Sequence, residues 1–402
     1  MKVFFDLIGM LGVGLGLVSF GAIFAGLTSW WERRVAGRMQ SRIGPNRVGP
    51  AGSLQFVADA LKLILKEDLI PDQADRFLFR VAPYFVLVGF VLTLAVLPFG
   101  YRLSATRMNV GLFYLVSVTA LVVVGILISG WASNSKWSVL GAIRAAAQVV
   151  SYEIPAGLVL LVPVLMGGSL NLHSLIRAQG GWPWEWFLFQ TPMAYLAFFI
   201  FYIALLAEGN RTPFDLPEAE SELVAGYHTE YSGIRFGYYS LAEWGNLWVM
   251  GALLTSLFLG GWQVPGVNQG RLAGWEFNHS VPFWFYGLST LVFGFKVIVL
   301  TNLAIWIRWT FPRLRVDQVM ILCWKYLVPS SLVLVVLTAV TEWGSFAIWG
   351  EAAQFPALPS SMRGLIHIAF FASGGLLPCA MLWKKTLGHI RSAGDRVDLS
   401  NW

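Results

Sequence analysis

The sequence predicts an all-α polytopic membrane protein, and three observations support this fold class. The 402 residues are 56% hydrophobic and only 12% charged, with a mean hydropathy of +0.64, whereas soluble domains carry about 25% charged residues. Apolar runs of about 20 residues recur along the chain, which is the length that a helix needs to cross a bilayer. The runs are continuous rather than alternating, so we expect helices and not a closed barrel to satisfy the backbone in lipid.

Run length predicts about nine transmembrane helices within one membrane domain that covers residues 1–402. We place the spans at roughly residues 7–31, 80–100, 110–131, 145–167, 190–208, 240–261, 282–308, 324–348 and 363–385. The first run has no small-residue cleavage site and continues to about Trp30, so we interpret it as a span rather than a signal peptide. Residues 1–348 are the expected core, and residues 349–402 add an extra C-terminal helix and a tail.

Lys and Arg are divided unevenly between the connections. Most of the 28 Lys and Arg residues fall in the odd-numbered connections and the C-terminal tail. The positive-inside rule therefore predicts a periplasmic N-terminus and a cytoplasmic C-terminus. Because this topology accounts for the net charge of +6, the charge gives no reason to expect nucleic acid as a partner.

The first cytoplasmic connection has two parts. Ile43 to Gly52 reads IGPNRVGPAG, and its Gly-Pro pairs predict a tight, irregular backbone. From Ser53 an amphipathic pattern of about 14 residues predicts an interfacial helix, because it is too short to span. Its apolar face holds Leu54, Val57, Ala58, Leu61, Ile64 and Leu65, and its polar face holds Gln55, Asp59, Lys62 and Lys66.

The arginines before this helix allow two interpretations. Arg34, Arg38 and Arg42 recur every four residues and would share one face of a helix, where they could bind carboxylates or a polar ligand head. The connection would then be a shaped cationic surface for a soluble partner or a ligand. The plain alternative is a positive-inside loop followed by an interfacial helix.

Ionisable residues fall inside the predicted spans, namely Glu153, Glu208, Glu243, Lys296 and Glu342. Each such group costs about 2.5–3.5 kcal/mol to insert, so we expect these side chains to face the protein interior or water. Structural ion pairs are one explanation, but the acids outnumber Lys296. Carboxylates crowded in a low dielectric repel each other and take up protons more readily. A chain of them can hold and pass protons.

The segment from Asn210 to Gly233 reads NRTPFDLPEAESELVAGYHTEYSG and gathers five acids between two apolar runs: Asp215, Glu218, Glu220, Glu222 and Glu230. Asp215-Leu-Pro-Glu218 has the pattern of a helix start, and Gly226 that of a stop. A helix N-terminus favours the first acids but not Glu222 or Glu230. We interpret the segment as the mouth of a carboxylate path that continues into the bilayer.

The sequence predicts no cofactor, metal site or catalytic residue on this chain. The two cysteines are too few for a cluster, and the five histidines lack the spacing of metal ligands. Dinucleotide and P-loop patterns are absent as well. We therefore expect the chain to act on protons or a ligand without redox chemistry of its own.

Four motifs together resemble the H subunit of bacterial proton-pumping NADH:quinone oxidoreductase, respiratory complex I. They are ERRVAGRMQSRIGPNRVGP, FVADALKLILKED, SYEIP and AEGNRTPFDLPEAESELVAGYHTEYSG, in the expected order between about residue 10 and about residue 330. The resemblance implies a subunit at the junction of the membrane and peripheral arms. Such a subunit forms part of the quinone-binding chamber and a glutamate-lined path that couples quinone reduction to proton translocation.

The resemblance also assigns residues. It implies a proton path through Glu153, Glu208, Asp215, Glu218, Glu220, Glu222, Glu230 and Glu243. It places Arg33, Arg38, Arg42 and Asp59 in the quinone-binding region. Residues from about Trp349 onward resemble the longer bacterial forms, and we assign them to packing or assembly.

Partners follow from the same resemblance. It implies quinone as the substrate, FMN and iron–sulfur clusters on partner subunits, and NADH as the electron source. The partners would be the soluble quinone-site subunits, the adjacent small membrane subunits and the lipid bilayer, in the bacterial inner (plasma) membrane. An equivalent subunit of a ferredoxin:quinone or hydrogenase-type complex is an alternative. An independent ion transporter is a remote one, because the sequence has no internal repeat.

Overall fold

The structure, a computed structural model, describes residues 2–101, 103–217, 224–265, 267–268, 271–272, 275–276 and 283–349. Three predicted path residues, Glu218, Glu220 and Glu222, lie outside the described residues. The predicted ninth span at residues 363–385 and the tail that follows it also lie outside them.

Helices dominate the described part of the chain. They are α1 (Lys2–Met39), α2 (Gln55–Leu65), α3 (Arg76–Val96), α4 (Gly111–Ala132), α5 (Lys136–Gly167), α6 (Leu172–Ala178), α7 (Phe187–Gln190), α8 (Pro192–Glu208), α9 (Gly233–Phe258), α10 (Phe283–Thr310), α11 (Val316–Ile321) and α12 (Val328–Trp349). A π-helical segment, Leu322–Leu327, joins α11 to α12, and 3-10 turns occur at Pro50–Gly52, Pro183–Glu185 and Gly226–His228.

Six helices in the described residues are long and apolar enough to cross a membrane. They are Gly9–Met39, Arg76–Val96, Gly111–Ala132, Lys136–Gly167, Trp284–Thr310 and Val316–Trp343. They match the first four predicted spans and the seventh and eighth. Helix α8 is apolar but has only 17 residues. The multi-pass membrane fold is therefore confirmed, whereas the number of spans stays a prediction.

Helix α9 is long but is not among these six, and its position explains why. It lies between the two main groups of core side chains, giving Leu254 and Leu257 to one group and Trp248 and Ala252 to the other. A helix that its neighbours shield from lipid does not need an apolar surface all round. Helix α9 can therefore carry charged residues such as Glu243.

Hydrogen bonds group the connections at two ends of the helix bundle. At one end, hydrogen bonds join connections that are far apart in sequence: Ser232 Oγ to the Glu67 carbonyl (3.1 Å), Asp75 N to the Ala132 carbonyl (3.0 Å) and Leu314 N to the Pro213 carbonyl (3.1 Å). We call this the arginine-rich end. At the opposite end, Leu112 N donates to the Leu170 carbonyl at 3.1 Å. Which end faces the cytoplasm stays a prediction.

One connection adds a small sheet to this helical fold. Between α9 and α10 the chain forms a small antiparallel sheet in the order β1-β2-β3, made of Val267–Asn268, Arg271–Leu272 and Trp275–Glu276. Strands of two residues are too short for an alternating pattern to be visible in the sequence.

At the opposite end, which we call the tryptophan-rich end, two tryptophans are exposed and a third contacts Lys296. Trp182 and Trp184 are exposed and stacked, with ring centroids 4.8 Å apart, as suits aromatic anchors at a membrane interface. Trp186 instead turns inward, 4.5 Å from the Lys296 ammonium. That ammonium donates to the carbonyls of Leu259 (2.7 Å) and Gly261 (3.0 Å). Lys296 therefore caps the end of α9 rather than pairing with a buried acid.

His173 in α6 is buried at the tryptophan-rich end. Neither ring nitrogen has a hydrogen-bond partner among the described residues. Burial, with a smaller contribution from the nearby Arg107 and Arg177, lowers the pKa of His173 to about 4. The imidazole is therefore neutral at physiological pH.

Candidate functional site

The first connection folds back onto the end of α1. Arg34 Nη1 donates to the Ala51 carbonyl at 2.8 Å, and Trp30 Nε1 donates to the same oxygen at 3.3 Å. Gly52 has φ +76°, and a Cβ at this position would meet the Pro45 carbonyl. A residue with a side chain would be strained there, so a glycine at position 52 allows this return of the chain.

Helix α2 packs beside α1 and α9, with Phe56 against Gly26 and Leu63 against Gly237. Its Asp59 accepts from Arg33 Nη1 at 2.6 Å and from Gln55 at 3.2 Å. The predicted amphipathic helix is thus present, and its side with Phe56, Asp59 and Leu63 is partly buried, whereas Lys62 and Lys66 are exposed. Most of the predicted apolar face is exposed on the described part of the chain, at Leu54, Val57, Leu61, Ile64 and Leu65.

The predicted quinone-binding residues are only partly brought together. Arg33 and Asp59 form an ion pair, whereas Arg38 and Arg42 point to solvent. The prediction that Arg42 shares a helix face with Arg34 and Arg38 is wrong, because α1 ends at Met39 and the chain then turns. Arg42 donates to Gln40 at 2.6 Å instead.

A buried charge cluster joins four elements at the arginine-rich end. Arg211, which follows α8, lies 3.4 Å from Glu32 Oε2 in α1 and 3.4 Å from Glu243 Oε1 in α9. Arg308 at the end of α10 lies 2.7 Å from Glu32 Oε1. Glu32 and Arg211 are each 2% exposed. The guanidinium of Arg211 also lies 4.5 Å from the ring centre of Trp244, an arrangement that favours a cation.

The start of the acidic segment is fixed from two sides. Asp215 Oδ2 accepts from Arg313 Nη2 at 3.0 Å. Gln148 of α5 is fully buried, and its Nε2 donates to the carbonyls of Ala207 (2.7 Å) and Phe214 (2.6 Å) and to Asn210 Oδ1 (3.2 Å). These bonds hold the backbone on both sides of Glu208 and Arg211.

Glu153 and Glu208 form a second carboxylate group. Glu153 in α5 accepts from Thr119 Oγ1 of α4 at 2.9 Å. Glu208 is the last residue of α8, which packs against α5, and the two carboxylates are close enough to repel each other. Among the described residues, no Lys, Arg or His side chain forms an ion pair with either carboxylate. Glu153 and Glu208 are thus interacting acids without an ion-pair partner in the part of the chain that the structure describes.

The π-helical segment Leu322–Leu327 lies against the turn of α5 that carries Glu153. Tyr152 Oη donates to the Val319 carbonyl at 2.9 Å, and Cys323 Sγ donates to the Ser151 carbonyl at 3.0 Å. Single π-helical turns occur frequently at functional sites. These two hydrogen bonds thus attach the helix that continues into α12 to α5, next to the Glu153 and Glu208 group.

Glu230 is half-buried and precedes an aromatic cluster in the chain. The ring of the neighbouring Tyr231 stacks on Phe79 with centroids 4.1 Å apart, and its hydroxyl donates to the Ser129 carbonyl at 3.5 Å. Burial raises the pKa of Tyr231 to about 12, against the opposing effects of its hydrogen bond with Tyr239 and of Arg235. The structure thus fixes the far end of the acidic segment through aromatic packing.

Comparison with known proteins identifies the family. The family model described as NADH dehydrogenase matches residues 13–339. An H subunit of NADH-quinone oxidoreductase from Anaeromyxobacter dehalogenans (strain 2CP-C) is 54% identical over 400 residues, which is 98% of this chain and 94% of that protein. This chain belongs to the family of NADH-quinone oxidoreductase H subunits.

Other H-subunit relatives match a shorter part of the chain. The protein from Chlorobium luteolum (strain DSM 273 / BCRC 81028 / 2530) is 48% identical over 342 residues, which is 82% of this chain and 90% of that protein. The protein from Geobacillus kaustophilus (strain HTA426) is 47% identical over 334 residues, which is 83% of this chain and 92% of that protein. The Anaeromyxobacter match covers nearly the whole chain, so that relative shares most of the C-terminal stretch.

Within this member of the family, sequence reasoning missed Glu32, Arg308 and Arg313 as site residues. Glu32 opens the ERR motif at the end of an apolar run, which was a usable signal for a buried acid. The two arginines were counted only toward membrane topology. Their roles depend on contacts between distant parts of the chain, and a hydropathy pattern carries no information on such contacts.

Proposed function

We propose that this chain forms part of the quinone-binding chamber of complex I and a carboxylate path that couples quinone reduction to proton translocation. The observation that carries the proposal is the meeting of two features at one end of the bundle. The first connection, with its Arg33–Asp59 pair, lies beside the buried cluster of Glu32, Arg211 and Glu243.

The path in this proposal has two groups of acids. Glu153 and Glu208 are the proton-holding pair, because they are crowded and have no cationic partner among the described residues. Glu243 and Asp215 are instead held by arginines, so we assign them to sensing charge. We keep Glu218, Glu220, Glu222 and Glu230 as path residues on the family resemblance, and likewise Arg38 and Arg42 as quinone-region residues.

Electrostatics supplies the coupling. Reduction of a quinone to a quinol takes up two electrons and two protons, and it changes the charge near the first connection while the protons arrive. A unit charge at about 10 Å in an effective dielectric of about 20 is worth about 1.7 kcal/mol. This exceeds a tenfold change in a protonation equilibrium. A carboxylate pair such as Glu153 and Glu208 would take up or release a proton in response.

The setting follows from membership in the complex. The other complex I subunits are the partners, and we assign FMN and the iron–sulfur clusters to them. We place the chain in the bacterial inner membrane, with the arginine-rich end in the cytoplasm as the positive-inside rule favours. There the exposed apolar face of α2 would lie at the membrane interface or against a partner subunit. We assign residues 349–402 to packing or assembly.

The test is Glu208→Gln in the assembled complex in inverted membrane vesicles. We expect the pH gradient formed per quinone reduced to fall by at least about fivefold, because the variant loses one of the two carboxylates that hold the proton. Oxidation of NADH by a hydrophilic acceptor that bypasses quinone should stay unchanged, because it measures the assembly of the electron-input part.

Glu185→Gln is the matched control. Glu185 lies at the tryptophan-rich end, where its carboxylate accepts from Trp182 N at 3.1 Å, and a Gln amide can keep that bond. We expect no change in the gradient for this variant. A Glu208→Gln complex that pumps as well as the Glu185→Gln complex would refute the carboxylate path.

A further inference from the structure

Arg211 is shared between carboxylates that belong to two different parts of the proposed machinery. Glu32 ends the membrane part of α1 and is followed directly by Arg33, the partner of Asp59 in the first connection. Glu243 belongs to the predicted acid path in α9. Each carboxylate has an oxygen 3.4 Å from a different terminal nitrogen of the same guanidinium, and Arg211 Nη2 also donates to the Glu243 carbonyl at 3.3 Å.

The two carboxylates differ in how firmly they are held. The Glu32 side chain is 3% exposed and also pairs with Arg308 at 2.7 Å. The Glu243 side chain is 18% exposed and lies 3.4 Å from Arg211, a longer distance than the 2.7 Å between Glu32 and Arg308. Glu243 is thus the member of the cluster that can change its charge at lower cost, because water can reach it.

The position of Arg211 responds to this change. A planar guanidinium presents two donors in a fixed fork and can bridge two acceptors at once, which a lysine ammonium on a flexible stem does not reproduce. Trp244 lies below the guanidinium at 4.5 Å and provides a surface along which it can shift without losing its cation–π contact. Gln148 holds the backbone that flanks Arg211, so the side chain moves and the loop does not.

We propose that Arg211 is a positioning residue that transmits charge changes between the first connection and the acid path. When Glu243 takes up a proton, Arg211 moves toward Glu32 and strengthens that pair. When Glu32 is drawn toward the first connection during quinone binding or reduction, Arg211 moves toward Glu243 and favours its ionised form. This inference rests on the proposed function and names the contact through which its two halves communicate. By linkage, the effect is equal in both directions.

The test uses the assembled complex in inverted vesicles and three variants. Arg211→Lys keeps the charge but not the fork, and Glu32→Gln keeps the shape but not the charge. We expect each to lower the pH gradient per quinone reduced by at least about fivefold, with NADH oxidation by the hydrophilic acceptor unchanged. Because the two residues act as one unit, the double variant should be no worse than the more impaired single variant.

Arg235→Lys is the matched control. Arg235 is also a mostly buried arginine of the arginine-rich end, and it pairs with Asp68 at 2.9 Å. We expect this variant to pump normally. A merely structural role of Arg211 would lower the amount of assembled complex without changing the gradient per quinone, and this ratio therefore separates the two roles.

The outcomes are distinguishable from failure of the carboxylate path itself. If Glu208→Gln pumps normally, the proposed function is wrong. If Glu208→Gln loses pumping while Arg211→Lys keeps the wild-type ratio, only the transmitting role of Arg211 is overturned. A double variant whose loss equals the product of the two single losses would also overturn it, because Arg211 and Glu32 would then act independently.

Discussion

Replacing Gln148 tests how the acidic segment is positioned. Gln148 is fully buried, and its amide group donates to the Ala207 and Phe214 carbonyls on either side of Arg211. Gln148→Leu removes these two bonds and the one to Asn210 Oδ1, and it keeps a similar volume. Gln148→Glu keeps the shape but, when ionised, offers only acceptors to two carbonyl acceptors.

The bonds of the two carbonyls set the expected magnitude. The Ala207 carbonyl also accepts from Asn210 N at 3.2 Å, so it keeps a partner in the variant. The Phe214 carbonyl loses the contact at 2.6 Å. A buried acceptor left without its partner costs about 1–3 kcal/mol. The Gln148 carbonyl oxygen has no hydrogen-bond partner in the described part of the chain, and its removal offsets some of this cost. We expect a local loss of stability of about 1–2 kcal/mol in Gln148→Leu and a larger loss in Gln148→Glu.

Hydrogen–deuterium exchange on the purified complex measures this loss locally. In peptides covering residues 205–217, about 1–2 kcal/mol raises amide exchange by roughly 5- to 30-fold. Gln190→Leu is the control, because Gln190 donates to the Glu185 carbonyl at 2.7 Å at the tryptophan-rich end. Unchanged exchange in Gln148→Leu, or a smaller effect for Glu than for Leu, would refute the assigned role of Gln148.

Three further predictions concern other parts of the molecule. Asp215→Asn should lower the stability of the complex by about 1–2 kcal/mol, less than the loss of a fully buried ion pair, because Arg313 is partly exposed. In a double-mutant cycle with Arg313→Gln, measured by thermal inactivation of the complex, the two losses should be non-additive, and additive losses would argue against the pair. Because burial lowers the pKa of His173 to about 4, the stability contributed by its neutral form is complete above about pH 6.5 and is lost as the pH falls toward 4. Amide hydrogen exchange around His173 should therefore rise over that range, and an equal rise in His173→Leu would contradict the role of this histidine. Gly141→Ala should impair assembly of the complex, because its Cβ would approach the Gly226 backbone to 2.7 Å. In Gly157→Ala, on the same helix, the Cβ meets no atom within 4 Å, and this variant should stabilise the helix by about 0.5–1 kcal/mol. Equal assembly of the two variants would count against the packing of Gly141 on Gly226.

Local and periodic features were predictable from the sequence. The predicted spans at residues 80–100 and 110–131 lie within a few residues of α3 and α4, because hydropathy reports the apolar part of a helix directly. Helix α1 extends past its predicted end at residue 31 to Met39. The helix continues there into a polar stretch that hydropathy does not detect. Helix α9 (Gly233–Phe258) overlaps the predicted span at residues 240–261 and begins several residues before it.

The candidate site was predictable in its acids but not in its partners. Glu153, Glu208 and Glu243 were visible because carboxylates are rare in apolar runs. The pairing of Arg211 with Glu32 joins residues 179 positions apart, and no pattern along the chain encodes such a contact. The position of Lys296 at the end of α9 was hidden for the same reason. The sequence shows which charged residues are present, and only the packing of the helices determines which of them form contacts.

The most direct measurement of the central claim is an infrared difference spectrum of the complex, recorded as quinone is reduced. Proton uptake by a buried carboxylate produces the carbonyl band of a protonated acid. We predict such a band in the wild-type complex and its loss or displacement in Glu208→Gln, with Glu185→Gln unchanged. An identical spectrum in Glu208→Gln would mean that the crowded carboxylates do not respond to quinone chemistry, and it would contradict the account.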